Sequence, residues 1–306
     1  MLDLQGLHIR AALFRFIRDF FSQRDFLEVD TPIRQPVIIP ECNIVPIMAD
    51  GQYLQTSPEL CMKRLLAAGC QKIFQICPCF RKDELGKNHL EEFIMLEWYR
   101  IDANYRHLML DCEELLQYVV WRFADQFPEV CDQNDAVAEA LRLLSAPADR
   151  MTVAEAFDRF APVSVAEALQ QEIFEEMLVE FVEPELGKKG PFFLVDYPHE
   201  LASLAKVDLN RPEVAERFEL YLSGVELANG FTELTDAGEQ RRRFVTEIEV
   251  IRRTQGREQV MPERFLGDLG LLNGAAGIAF GIDRLLMLLL AKETIHNVVS
   301  FNPADF

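Results

Sequence analysis

Three places in this sequence put charge where a buried strand should be apolar. Arg81 opens a charged loop directly after the apolar run Lys72 to Phe80, and a guanidinium is the natural bidentate partner of a phosphate. Glu226 and Glu233 bracket Asn229-Gly230 in VELANGFTEL, and two carboxylates near one site are a usual way to hold Mg2+ through shared phosphate oxygens. Arg284 follows a run in which Gly277, Ala279 and Gly281 leave room for a flat ligand, and a guanidinium there could stack on a purine. Each has an ordinary alternative: a surface arginine, a solvated hairpin rim, a buried ion pair. Together they describe nucleotidyl transfer, in which a carboxylate attacks the α-phosphate of ATP and pyrophosphate leaves. Catalysis is then positioning plus stabilisation of phosphoryl charge by Arg and Mg2+. No general base is needed, which suits a chain with 5 histidines and no Ser-His-Asp or Cys-His arrangement.

The segment FRKDELGKNHLEEFIMLEWY, Phe80 to Tyr99, must position the first of these groups. Apolar Lys72 to Phe80 and alternating Glu92 to Tyr99 predict an antiparallel hairpin with a long polar tip, where an anion would sit. Successive strand side chains point to opposite faces. Ile94, Leu96 and Trp98 therefore share a core face, while Phe93, Met95, Glu97 and Tyr99 share the other. A carboxylate beside a phenol on that face reads either as the floor of a pocket for a cation or as the solvated side of an edge hairpin.

The remaining chain supplies the frame. His8 to Arg24 has helical apolar spacing, and Phe26 to Pro32 alternates like a short strand ended by proline. Residues 36–46 are loop-like, and Tyr53 to Gln55 leads into Thr56-Ser57-Pro58-Glu59, where Thr56 or Ser57 can cap a helix running to Ala68. Leu108 to Phe127 is an amphipathic helix. Residues 128–190 read as a helical insertion over one side of a sheet, with capping boxes at Thr152/Glu155 and Ser164/Glu167. Strands are expected at 191–198, over Phe218 to Leu234 with a bend at Asn229-Gly230, and at Gly274 to Ile282. Helices are expected at Asp236 to Arg257 and Leu285 to Ala291. No GxGxxG and no GxxxxGK followed by Ser or Thr occurs, which argues against Rossmann and P-loop designs.

Composition narrows the partners. Lys+Arg 31 against Asp+Glu 50 gives a formal charge of −19. Such a surface argues against nucleic acid and suits a basic protein or a cationic small substrate. The 7 cysteines are odd in number and scattered, which predicts reduced thiols and a cytoplasmic protein. No apolar run is long enough to cross a membrane.

The ordered motifs resemble the catalytic domain of the class II aminoacyl-tRNA synthetases, in the lysyl branch. The helix and strand ending at Pro32 resemble the dimer-forming motif 1, FRKDE with HLEEF resembles motif 2, and GIAFGIDR resembles motif 3. TSPE, MLEWY and ERFELYLSGVELANGFTEL match the lysyl type, so that the likeness covers His8 to Phe301. It implies an α+β fold with a mixed, mainly antiparallel sheet flanked by helices, as one catalytic domain spanning 1–306. The chain begins directly at motif 1, so no N-terminal anticodon-binding domain and no tRNA partner are expected. Ser57 and Ala279 stand where the tRNA enzymes tend to have Ala and Gly. The closer resemblance is thus to the stand-alone paralogues that attach a lysyl or β-lysyl group to a lysine of elongation factor P.

Carried over by residue, the resemblance implies that Arg81 holds the α-phosphate and that Phe93 and Arg284 sandwich adenine. Gly281 would permit close approach, with Lys82, Asp83, His89, Leu90 and Leu227 beside the nucleotide. Glu226 and Glu233 would bind Mg2+ or the substrate amine. Ser57, Pro58, Glu59, Glu97, Tyr99, Asn229, Glu233 and Ala279 would frame lysine or β-lysine. The chain departs from the family at Asp83, where Glu is usual, and at Leu90-Glu91, which replaces a common Asn-Pro. A homodimer through motif 1 is expected.

Overall fold

The computed structural model describes residues 2–302 and 305. Helix α1 (Leu4–Ser22) begins ahead of the expected His8, because the Asp3 carboxylate accepts the Gly6 N–H at 2.7 Å and caps it. Its apolar face, including Leu13, Phe16, Ile17 and Phe20, enters the main core. Strand β1 (Leu27–Glu28) is shorter than the alternation of Phe26 to Pro32 predicts, since only these residues pair in register with a neighbour. A separate small sheet joins β2 (Arg34–Gln35), β3 (Met48–Ala49) and β4 (Gln52–Leu54), with β4 in the middle. Helix α2 (Glu59–Ala67) has Pro58 at its cap position, with no side-chain cap bond; Ser57 Oγ only accepts a long bond, 3.4 Å, from the Glu59 N–H.

The predicted hairpin forms from β5 (Lys72–Phe80) and β6 (Glu92–Ile101), with Gln75 opposite Glu97 and Cys79 opposite Phe93. Leu96 and Trp98 are fully buried, and Ile94 packs against the same core, as the alternation requires. Helix α3 (Tyr105–Gln126) backs this sheet. Its Asn104 cap makes a capping box with His107, a pairing the usual Ser/Thr and Glu/Gln pattern does not announce.

Within 128–190 the helices α4 (Pro128–Asp132) and α5 (Asp135–Leu144) are followed by β7 (Asp149–Thr152), which the sequence reading had as part of a helical cover. Helices α6 (Val153–Phe160), α7 (Val165–Gln170) and α8 (Phe174–Met177) complete the segment, with both expected capping boxes formed. Strand β7 adds an edge, running parallel to β8 (Phe192–Pro198). The segment's apolar side chains, among them Phe157, Phe174 and Val182, form a second core against Leu194, Tyr197 and Tyr221.

Next come β9 (Val207–Asp208), β10 (Arg211–Leu222) and β11 (Val225–Thr232). The turn between β10 and β11 lies at Ser223-Gly224, both with positive φ (52° and 74°), and not at Asn229-Gly230. Asn229 and Gly230 run straight through β11. A two-residue turn of this kind twists as paired strands do. Helices α9 (Ala237–Gln255), ended by left-handed Gly256, and α10 (Glu263–Leu269) precede β12 (Ala275–Gly281) and α11 (Ile282–Leu289). The large sheet runs β1-β5-β6-β12-β11-β10-β8-β7, with β9 on β10, and only its two end pairs are parallel. This is the mixed, mostly antiparallel sheet flanked by helices that the α+β reading expected.

Register across the middle of the sheet places the chemistry. Glu97, Ala279, Asn229 and Glu219 form one cross-strand row, and Tyr99, Gly277, Phe231 and Arg217 the next. On β11 the pairing slips between Leu220 and Tyr221: Leu220 faces Ala228, but Tyr221 faces Glu226. Leu227 is therefore a bulged residue. Leu227 and Ala228 are both buried in the core, so the bulge resets the alternation and turns Glu226 toward the face that carries Asn229.

Candidate active site

Two adjoining cavities open on this face, and the central strands cross both in the same order. On β6, Phe93 and Met95 line the first and Glu97 and Tyr99 the second; on β12, Gly281 lines the first and Gly277 the second. Arg81, Asn229 and Ala279 line both, marking where the two meet.

The first cavity holds the features expected of a nucleotide site. Arg284, at the start of α11, donates from Nη1 to the Glu226 carbonyl at 2.8 Å and to its carboxylate at 3.0 Å, and from Nε to the Asn88 carbonyl at 3.3 Å. Its Nη2 lies 2.8 Å from His89 Nε2. Burial, and then the Arg284 charge, hold His89 below its ordinary value, so it meets the guanidinium as a neutral acceptor. Burial works to raise the Glu226 pKa, but Arg284 outweighs it and holds the carboxyl below its usual range. The Arg81 guanidinium lies 5.3 Å from the Phe93 ring centre and donates to the Thr56 carbonyl at 3.4 Å. Leu90 and Leu227 complete the apolar lining. Lys82 and Asp83 line neither cavity. Asp83 sits in a left-handed turn (φ 64°) with its N–H on Glu91, and the Lys82 ammonium extends toward the Asp83 carboxylate at 3.9 Å.

The second cavity is ringed by carboxylates. Ser57, Glu59, Glu97, Tyr99, Asn229 and Ala279 line it as expected, while Pro58 and Glu233 lie outside the lining. Glu97 is 1% exposed. Its Oε2 accepts from Tyr99 Oη at 2.8 Å, and its Oε1 is buried with no partner. Burial, then the nearby Glu59 charge, push this carboxyl well above its usual range. A buried carboxylate oxygen without a donor is costly, and an ammonium ligand would supply both charge and donor.

Sequence reasoning missed four residues here. Lys63, 1% exposed, reaches Glu59 Oε1 and Glu233 Oε2 at 2.5 Å each. Burial opposes its charge, but Glu233 and Glu59 overcome that and keep it protonated. Glu233 is pushed up to about 8 by burial, which Lys63 only partly offsets. The Glu59-to-Lys63 spacing on one helix was the available signal. Arg217 donates to Glu219 at 2.7 Å and to Asn229 Oδ1 at 3.2 Å, bridging the two cross-strand rows. Glu41 and Glu247 also line this cavity.

Two expectations are revised by this geometry. Glu226 and Glu233 do not converge on one cation, because the bulge sends Glu226 to Arg284 while Lys63 takes Glu233. Gly277 does not leave room for a ligand. An added Cβ would fall 2.1 Å from the Tyr99 ring, whose edge already fills the space. At Gly281 the nearest atom to an added Cβ is Arg284 Cδ at 3.4 Å, so that space borders the nucleotide cavity.

Among the described residues no group of three or more His, Cys, Asp or Glu side chains is arranged to hold a metal. A single ionised carboxylate beside a phosphate site is nonetheless how Mg2+ is commonly bound, the phosphates supplying the other oxygens, and Glu226 fits that part.

Comparison with known proteins points the same way. The model of the tRNA synthetases class II (D, K and N) family matches residues 4–304. The chain is 37% identical over 312 residues to elongation factor P--(R)-beta-lysine ligase of Salmonella gallinarum (strain 287/91 / NCTC 13346), covering 98% of this chain and 95% of the relative. The identically named proteins of Salmonella dublin and Salmonella paratyphi B (strain ATCC BAA-1250 / SPB7) match at the same 37% and the same coverage.

Proposed function

This chain belongs to the class II tRNA synthetase family of the D, K and N type, and from that premise we propose that it is an ATP-dependent, AMP-forming ligase. It activates lysine or (R)-β-lysine as the aminoacyl-adenylate and transfers the aminoacyl group to a lysine of elongation factor P, the protein named in its relatives. One observation carries this reading: a phosphate-and-purine cavity opens directly into a carboxylate-ringed one, whose buried Glu97 Oε1 lacks a donor.

Arg284 and Phe93 hold the adenine between guanidinium and ring. Arg81, at the junction, neutralises the α-phosphate as it becomes five-coordinate. Glu226 would complete the shell of a Mg2+ carried by the phosphates, which supplies further charge neutralisation when bound. Glu97 takes a substrate ammonium, with Tyr99 fixing its other oxygen. The substrate carboxylate then lies toward the junction of the two cavities, which Arg81, Asn229 and Ala279 line. The protein acts in the cytoplasm and as a homodimer through α1 and the extended chain after it, where Leu27 and Ile33 are exposed.

The test is amino-acid-dependent pyrophosphate exchange with α-lysine, (R)-β-lysine and (S)-β-lysine, followed by transfer to elongation factor P or to tRNA. Exchange with a lysine isomer and transfer to the factor are expected. Replacement of Glu97 by Gln should raise the KM for the amino acid about 100-fold, the scale of losing a buried charge-assisted contact. Absence of exchange, or charging of tRNA in preference to the factor, contradicts the proposal.

A further inference from the structure

Resting on that ligase reading, we propose that Glu41 is the general base of the second half-reaction, taking a proton from the acceptor amine as it attacks the adenylate.

The segment carrying Glu41 is fastened on both sides. The Cys42 N–H donates to Glu247 Oε2 at 2.8 Å, and the Cys42 carbonyl accepts from Gln255 Nε2 at 2.6 Å, both from α9. Gln259 Nε2 holds the Ile38 carbonyl at 3.2 Å, and the Lys82 N–H holds the Val45 carbonyl at 2.8 Å. Four bonds thus fix the backbone around Glu41 in the wall of the amino-acid cavity, while its own half-buried carboxylate forms no hydrogen bond or ion pair among the described residues. A loop held this firmly presents its one uncommitted acid to the cavity.

The other carboxylates around the cavity are accounted for. Glu59 is held by Lys63, Glu97 receives the bound substrate, Glu247 holds Cys42, and Glu200 lies 3.1 Å from His199. Glu175 is exposed. The charges that act on Glu41 are those of Glu59 and Lys63 on α2, Arg81 at the end of β5 and Glu247 on α9. Arg81, the α-phosphate ligand in that reading, lines the same cavity as Glu41 and acts on its charge, which puts the carboxylate in the chamber where the adenylate carbonyl would lie. Burial, then Glu59, raise the Glu41 carboxyl to about 7, where a base is effective near neutral pH.

The step balances. The acceptor ammonium gives one proton to the Glu41 carboxylate, and the freed lone pair attacks the adenylate carbonyl carbon. The C–N bond forms, the C–O bond to phosphate breaks with its electron pair going to AMP, and the second amine proton leaves with the phosphate oxygen. The amide keeps one hydrogen, and Glu41 releases its proton to solvent.

The experiment separates the two half-reactions in Glu41→Gln and Glu41→Asp. Pyrophosphate exchange in Glu41→Gln should stay within a few-fold of wild type, which also reports folding. Single-turnover transfer from preformed adenylate to elongation factor P should fall about 100-fold, within the range of a general base. It should also lose the wild-type break near pH 7, rising instead with the amine's own titration, and Glu41→Asp should recover part of the rate. Unchanged transfer, an increase confined to the KM for lysine, or loss of exchange in both variants overturns the assignment. Absence of exchange in the wild type would instead defeat the ligase reading itself.

Discussion

Gly277 illustrates how closely single residues are constrained at this site. A Cβ there would meet the Tyr99 ring at 2.1 Å and Glu233 Oε1 at 2.5 Å, and neither neighbour is free to withdraw. Gly277→Ala should therefore cost about 1–3 kcal/mol of stability, the usual scale of overpacking, seen as a lower denaturation midpoint. It should also raise the KM for the amino acid, because Tyr99 positions Glu97; wild-type values for both would show that the ring can move. Strand parity put Glu97 and Tyr99 on one face, since alternation is local and the hairpin formed as expected, but it left pocket floor and solvated edge open, and only the resemblance pointed to a substrate. Glu41 and Lys63 were not legible. Glu41 lies in a loop with no period to read, and Lys63 carries its meaning only through Glu233, on a distant strand that folding brings to it.

At the level of elements, Lys63 joins α2 to the end of β11 by standing between Glu59 and Glu233. Lys63→Met would leave two buried carboxylates without a cation. Removing one partner of a buried ion pair typically costs about 3–5 kcal/mol. Urea unfolding should show that loss, and adding Glu233→Gln should return much of it; additive damage in the double variant would contradict the linkage. Local signals read well here: both Ser/Thr capping boxes formed where the sequence put them. The β10–β11 turn was misplaced, because Ser223-Gly224 and Asn229-Gly230 are both turn-forming pairs and only the register of β12 decides between them. The bulge at Leu227 carries no sequence mark. Without it, Glu226 would point to the core face.

For the whole molecule, the raised carboxyls set a pH dependence. Glu41 and Glu183 are held at about 7 and Glu233 at about 8, in each case first by burial. A carboxyl whose folded pKa exceeds its unfolded value, about 4.3, contributes stability that is present below that value and lost as pH rises through the folded one. Melting temperature should therefore decline from about pH 5 to about pH 8, and a saturating lysine-like cation should raise it by binding only the folded state. A flat profile in differential scanning calorimetry would refute this. The three strands that cross both cavities add a consequence for substrate choice. Same-face positions on a strand recur every two residues, about 6.6 Å apart, so the backbone works as a ruler with coarse graduations. Moving an amino group by one carbon, as between lysine and β-lysine, shifts it by much less than one such interval and cannot be matched by sliding to the next mark. Isomer choice must then be made within one row, by the bulk and reach of the side chains at Glu97, Ala279 and Asn229.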